Sequence, residues 1–265
     1  MATVCFGGGI LQTCADEYDM SAEEADAFIG QLIRCRAEGV FFVPFEHRAD
    51  SCQINARMTT RLRRAGIAVI LIDRDITPFP KRSSFDLVGV DNFAGGYELA
   101  EHLLKSGAKR LGFVTIPHTA STADARIAGA RAAIAEQGRS FETLSVFKGD
   151  PADASFVRSI VRVHKIDGVL CTSDHVAALF MKSALREGIR VPRDVQLVGF
   201  DDTPVAEMLS VPLTTMAQPC RDIAAIAFHT LCERIKFPSL PARVQRLSPK
   251  LIVRESSMPL LKRRP

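Results

Sequence analysis

The sequence predicts a doubly wound α/β protein built on parallel sheet, and two observations carry that prediction. The first is a recurring unit. In "TTRLRRAGIAVILID", "AEHLLKSGAKRLGFVTI" and "MKSALREGIRVPRDVQLVGFDD" a helix with basic residues in its last turn meets a glycine suited to the C′ position, then a short polar or proline-containing turn, then a β-branched strand. The second is that these strands are nearly continuous apolar runs, the pattern of parallel strands covered on both faces by helices. "IGQLIRCRAEGVFFVP" and "IVRVHKIDGVLCTS" repeat the scheme with a shorter turn.

Bulk properties narrow the class. At 265 residues, 47% hydrophobic and 24% charged, the chain is long enough for one large domain or two lobes with a proper core. No apolar run approaches the ~18 residues of a membrane helix. "MATVCFGGGI" lacks the basic start and the length of a secretory signal, so a cytoplasmic location is expected. The seven cysteines are scattered singly with no CxxC pair, which reads as reduced thiols. The net charge of +4 is dispersed apart from the closing "KRRP", a weak footprint for nucleic acid.

Parallel sheets bind ligands beyond the carboxyl ends of their strands. Those ends are chemically rich here: Asp73, Arg74 and Asp75 after "AVILI", "PHTAS" after "LGFVTI", "TSDH" after "VLC", and Asp201-Asp202 after "LVGF". Carboxylates at such places need not be buried in a core; they can line a cleft. A carboxylate accepts from two donors and an arginine fork donates to two oxygens, which suits a small polar ligand.

The order and spacing of "LVGVDNFAGGYELAEHLLKSGAKRLGFV", "ADARIAGARAAI", "DGVLCTSDHVAALFMKSALREGIRVPRDVQLVGFDDTPVAEMLSVPLTTMAQP" and "PKLIVRESS" resemble the effector-binding domain of LacI/GalR-type transcriptional regulators, over roughly residues 30 to 257. The resemblance implies a periplasmic-binding-protein-like (type I) architecture: two doubly wound lobes joined by three crossovers, with a small polar ligand held between them. The N-terminal lobe is expected at 1–117 and 218–244, the C-terminal lobe at 118–217 and 245–257, and a tail at 258–265. It also implies an allosteric homodimer, for which the helix "YELAEHLLKSG" and the apolar residues of "FVPFEH" are candidate contact surfaces.

Ligand contacts carry over only where residues match. Asp73 and Arg74 stand where sugar-binding relatives place an Asp-Arg pair, though the same two residues also suit a surface turn. Arg126 matches the arginine of the "R-x-x-G" helix start, against the alternative of a solvent-facing side chain. Asp201 is the first acid of "GFDD", with capping of the next helix assigned to Asp202 or Thr203, and Gln218 follows "LTT". Ser173 stands where relatives carry Asn, and capping the helix that begins near Val176 is an equal alternative. Phe200 is read as a core aromatic rather than a stacking platform.

Other chemistries are poorly supported. "FGGG" lacks dinucleotide-binding spacing, there is no nucleophile elbow or P-loop, and no cofactor is expected. His164, Cys171 and His175 lack zinc spacing, so no metal is expected. A glycosidase acid pair has nothing beyond the strand-end carboxylates to support it. A solute-binding protein for sugar uptake is the alternative binder, and the missing export signal counts against it. A helix-turn-helix pattern is absent, so DNA contact is expected only through a segment outside this chain. Only nine residues precede Ile10, whereas a strand-helix-strand unit needs ~30. The first lobe is therefore expected to lack its opening strand and helix, with the natural reading frame extending upstream.

Overall fold

The structure, a computed structural model, describes residues 2–4, 11–13, 22–46, 49–117, 121–138 and 144–258. In chain order the elements are β1 (Ala2–Val4), β2 (Leu11–Thr13), α1 (Ala22–Arg34), β3 (Gly39–Phe42), α2 (Ser51–Arg64), β4 (Ala68–Ile72) and β5 (Asp86–Val90). They continue with α3 (Asn92–Lys105), β6 (Leu111–Thr115), α4 (Ser121–Glu136), β7 (Ser145–Lys148), α5 (Ala154–Arg158), β8 (Gly168–Cys171) and α6 (Asp174–Arg186). The last are β9 (Gln196–Val198), α7 (Pro204–Met208), β10 (Thr215–Ala217), α8 (Cys220–Lys236), β11 (Val244–Leu247) and β12 (Lys250–Ile252). A π-helical turn, Ser159–Val163, extends α5, and a 3-10 turn, Glu255–Ser257, follows β12.

The predicted C′ glycines do what the sequence requires of them. Gly66, Gly107 and Gly188 sit at φ 74°, 99° and 65° just past α2, α3 and α6, a conformation in which a Cβ is strained. The two shorter turns work differently. Their left-handed residues are Arg36 and Lys165, while Gly39 and Gly168 open strands where a Cβ would lie 2.5 Å from Leu231 and 2.7 Å from Leu111. Those glycines serve packing instead of turning.

The first unit comprises residues 1–90, 118–122 and 219–247. Its four-stranded sheet has the order β11-β5-β4-β3, all parallel, with Val40 opposite Val69, Ile70 opposite Asp86 and Val244 opposite Leu87. Alternate residues face opposite sides. Val40, Phe42, Val69, Leu71 and Leu87 pack with Phe28, Ile29 and Leu32 of α1 and with Ile54, Met58 and Leu62 of α2. The other face bears the fully buried Ile70 and Val88 and lies against α8. Asp86 is 1% exposed and is held by Arg234 Nε at 2.7 Å and by the Arg243 amide at 2.8 Å. Ahead of α1 the described residues form the antiparallel β1–β2 pair, which lies beside β3 outside its ladder.

The second unit comprises residues 91–117, 123–218 and 248–265. Its sheet has the order β7-β6-β8-β9, again all parallel. One face packs on α5, α6 and α7 through Val114, Val169, Cys171, Phe180 and Leu197. Helices α3 and α4 approach so closely that a Cβ on Gly96 would lie 2.1 Å from the Arg126 carbonyl, and one on Gly129 2.0 Å from the Phe93 carbonyl. Strands β10 and β12 pair antiparallel beside the sheet, and isolated parallel bridges join Val198 to Thr214 and Asp201 to Ala217.

The sequence reading ends the segments of the first lobe at 117 and 244. In the structure β6 pairs in parallel with both β7 and β8 and takes a central place in the second sheet, the two units divide after Val90, and all of β11, to Leu247, pairs with β5. The apolar residues offered as dimer contacts are also spent internally: Phe42 and Phe45 belong to the core of the first unit, and Leu99 and Leu103 are fully buried. Most of the tail, 259–265, including "KRRP", lies outside the described residues, as do Cys5 and Cys14.

Candidate functional site

Both sheets deliver polar residues at the carboxyl ends of their strands. In the first unit Asp73 and Arg74 directly follow β4. The Asp73 amide donates to the Val88 carbonyl at 2.9 Å and the residue sits at φ 69°. Gly89 admits this turn, because a Cβ there would stand 3.0 Å from the Asp73 backbone. Arg74 Nε donates to Asp73 Oδ2 at 3.0 Å, and its Nη1 pairs with Glu46. The side chains of Arg74, Glu46 and Asp73 are only 12%, 14% and 23% exposed, so this is a sequestered polar cluster and not a surface turn pair. Asp73 Oδ1 is buried with no hydrogen-bond partner among the described residues. Glu46 was missed in the sequence, where "FVPFEH" reads as an apolar contact stretch.

In the second unit Arg126 is buried and fixed by groups from three other segments. Its Nε donates to Asn92 Oδ1 at 2.8 Å, its Nη1 to the Thr172 carbonyl, and its guanidinium lies over the Phe200 ring. The solvent-facing alternative is therefore excluded. Phe200 is fully buried, as a core aromatic should be.

Ser173 takes the capping alternative: it is the N-cap of α6, and its hydroxyl accepts from the Val176 amide at 3.3 Å. Asp201 follows β9 at φ 111°, its amide donates to the Met216 carbonyl, and its Oδ1 accepts from Gln218 Nε2 at 2.7 Å. The structure thus brings Asp201 and Gln218 into direct contact. The capping assignment next door needs correction. Asp202 pairs with Arg254 Nη2 at 2.8 Å, and Thr203, at the N-cap position of α7, makes no side-chain capping bond.

The Thr203 hydroxyl turns instead to Asp174, the residue that sequence reasoning passed over. Asp174 is completely buried; Oδ1 accepts from Thr215 Oγ1 at 2.5 Å, while Oδ2 accepts from the Thr203 amide at 2.7 Å and hydroxyl at 3.2 Å. Burial pushes its carboxyl above the ordinary value, against the lowering effect of those hydrogen bonds. Among the described residues no group of His, Cys, Asp and Glu could hold a metal ion, and no helix is long and apolar enough to cross a membrane. Burial also raises the Cys171 thiol, which makes it an inert core group.

Two four-stranded parallel sheets with polar clusters at their carboxyl ends define an α/β protein of periplasmic-binding-protein-like (type I) architecture. The chain belongs to the periplasmic binding protein-like domain family, matched over residues 100–257, and within it to the effector-binding domains of LacI/GalR-type regulators. It is 33% identical over 193 residues to the ribose operon repressor of Halalkalibacterium halodurans, covering 72% of this chain and 56% of that protein. It is 27% identical over 256 residues to the transcriptional repressor PurR of Photobacterium profundum, covering 95% of this chain and 73% of that one. These relatives are transcriptional repressors, not enzymes.

Solved structures agree in fold. A CelR transcriptional regulator in complex with cellobiose superposes with a TM-score of 0.74 at 24% identity, covering 89% of this chain and 71% of that one. A LacI family regulator from Enterococcus faecalis with bound ribose gives 0.74 at 23%, covering 95% and 88%.

Proposed function

We propose that this chain is the sugar-sensing portion of a LacI/GalR-like transcriptional regulator. It takes a neutral sugar or related polyol as effector, forms a homodimer whose two states the effector biases, and works in the cytoplasm, with DNA read by a helix-turn-helix outside this chain. Allostery of this kind requires only that the effector bind one state better than the other.

The observation that carries the reading is the Asp201–Gln218 pair at the carboxyl end of β9. A carboxylate and an amide 2.7 Å apart offer acceptors and a donor in fixed register, the complement of adjacent hydroxyls. The sequestered Asp73–Arg74–Glu46 cluster supplies the same chemistry at the end of β4. The cellobiose and ribose seen in structures of this fold support the ligand class.

A thermal-shift screen of ribose, cellobiose and sucrose tests it. A sugar at ~100 times its dissociation constant adds ~2.7 kcal/mol of stability and moves the melting temperature visibly. Asp201→Asn and Gln218→Ala should each suppress the shift, leaving the ligand-free melting temperature within about 2 °C of wild type. No shift with any polyol, or an undiminished shift in both variants, overturns the assignment.

A further inference from the structure

We infer that Asp174, which is buried beneath the candidate sugar site, is the positioning residue that sets the Asp201 carboxylate by clamping the 200–203 turn to strand β10. The inference rests on the sugar-site reading above for its functional consequence, and on geometry for the clamp itself.

The turn is unusual. Asp201 and Asp202 are consecutive non-glycine residues at φ 111° and 53°. Such conformations are strained and persist only where the surroundings over-determine them. The surroundings here converge on one residue. The Asp174 amide donates to the Phe200 carbonyl at 2.9 Å, its Oδ2 receives both the amide and the hydroxyl of Thr203, and its Oδ1 receives the Thr215 hydroxyl. Thr215 Oγ1 accepts in turn from the Asp202 amide at 3.4 Å. The turn is thereby gripped at Phe200, Asp202 and Thr203 by Asp174 and its hydroxyl partner, while Asp201 is tied to β10 through the Met216 carbonyl. Gly199 completes the fit, since a Cβ there would lie 2.3 Å from Asp174 Oδ1.

Asp174 is completely buried, so its effect on a sugar must pass through Asp201. The Asp202 charge opposes ionisation of Asp174, and Asp202 itself pairs with Arg254 Nη2 at 2.8 Å. The carboxylate is therefore held by hydroxyl and amide donors, two from Thr203 of the turn and one from Thr215 of β10.

The test uses the full 265-residue chain with D-ribose as probe. Asp174→Asn, Thr215→Val and the double variant are compared with wild type by calorimetric titration, and amide hydrogen exchange of residues 201–203 is measured without ligand. Each single variant should lose at least tenfold in ribose affinity and exchange these amides faster. The double variant should be little worse than either single, because both break one network. Thr215→Val keeps the shape of the side chain and covers the case in which Asp174→Asn fails to fold. Folded variants that bind ribose like wild type and keep the exchange rates of 201–203 overturn the inference. If wild type does not bind ribose, the sugar reading fails on that probe and the clamp stands or falls on the exchange rates alone.

Discussion

The Arg126 guanidinium lies 3.5 Å from the centroid of the Phe200 ring. Both residues are buried, so the contact joins α4 to the turn that follows β9 in a setting where a cation on an aromatic face is worth about 2 kcal/mol. Arg126 is thus part of the scaffold as well as a candidate ligand group.

Replacing Phe200 by Leu keeps most of the apolar volume and removes the ring. The expected loss is about 2 kcal/mol, seen as a lower urea midpoint with an unchanged slope. An unchanged midpoint would mean that the ring contributes only volume.

Two glycines inside helices should respond in opposite directions to the same change. At Gly129 an added methyl meets the Phe93 carbonyl at 2.0 Å and the Tyr97 amide at 2.8 Å, so Gly129→Ala must push α3 and α4 apart and cost about 1–3 kcal/mol or more. At Gly30 of α1 the nearest atom is the flexible end of Arg34 at 3.4 Å, and alanine should gain up to about 1 kcal/mol in helix propensity. Thermal melts of the two variants check both signs.

His102 supplies a pH dependence. Its Nε2 lies 2.7 Å from Ser257 Oγ, which bonds on to Thr214, and burial lowers the imidazole below its usual value. The unfolded chain therefore takes up a proton at a higher pH than the folded one. This contribution to stability is full above about pH 6.5 and is lost as pH falls through the lowered folded value. His102→Gln should flatten that part of the stability profile in denaturant titrations between pH 5 and 7.5; an identical profile would show that other groups cause it.

The residues themselves explain why some of this was legible in advance. Helix ends marked by Gly66, Gly107 and Gly188 follow from local backbone physics, and local patterns are what a sequence displays. Asp201 and Gln218 stand at strand ends in recognisable runs, which is why the sequence proposes them as a pair of candidate ligand groups; their direct contact is a fact of the fold. The position of β6 was not legible: a strand after a helix looks the same in either sheet, and only its pairing with β7 and β8 assigns it. Glu46 stayed hidden because its partner Arg74 belongs to a different strand end. Asp174 resembled an ordinary acid in the first turn of a helix, whereas its oxygens serve Thr203 and Thr215, far along the chain.

The pairing of β11 with β5 has a consequence for how the protein is made. Synthesis proceeds from the N-terminus at ~5–20 residues per second, and domains generally complete in that order. Here the order is inverted: β6, β7, β8 and β9 form one contiguous run, so the parallel sheet of the second unit can close while the first still waits for Val244–Leu247 to leave the ribosome. Throughout that interval β5 presents a bare row of amides and carbonyls along one side, a template for pairing with a neighbouring nascent chain. A translational pause between β9 and β11 therefore prolongs the period in which aggregation competes with folding, and faster decoding of that stretch shortens it.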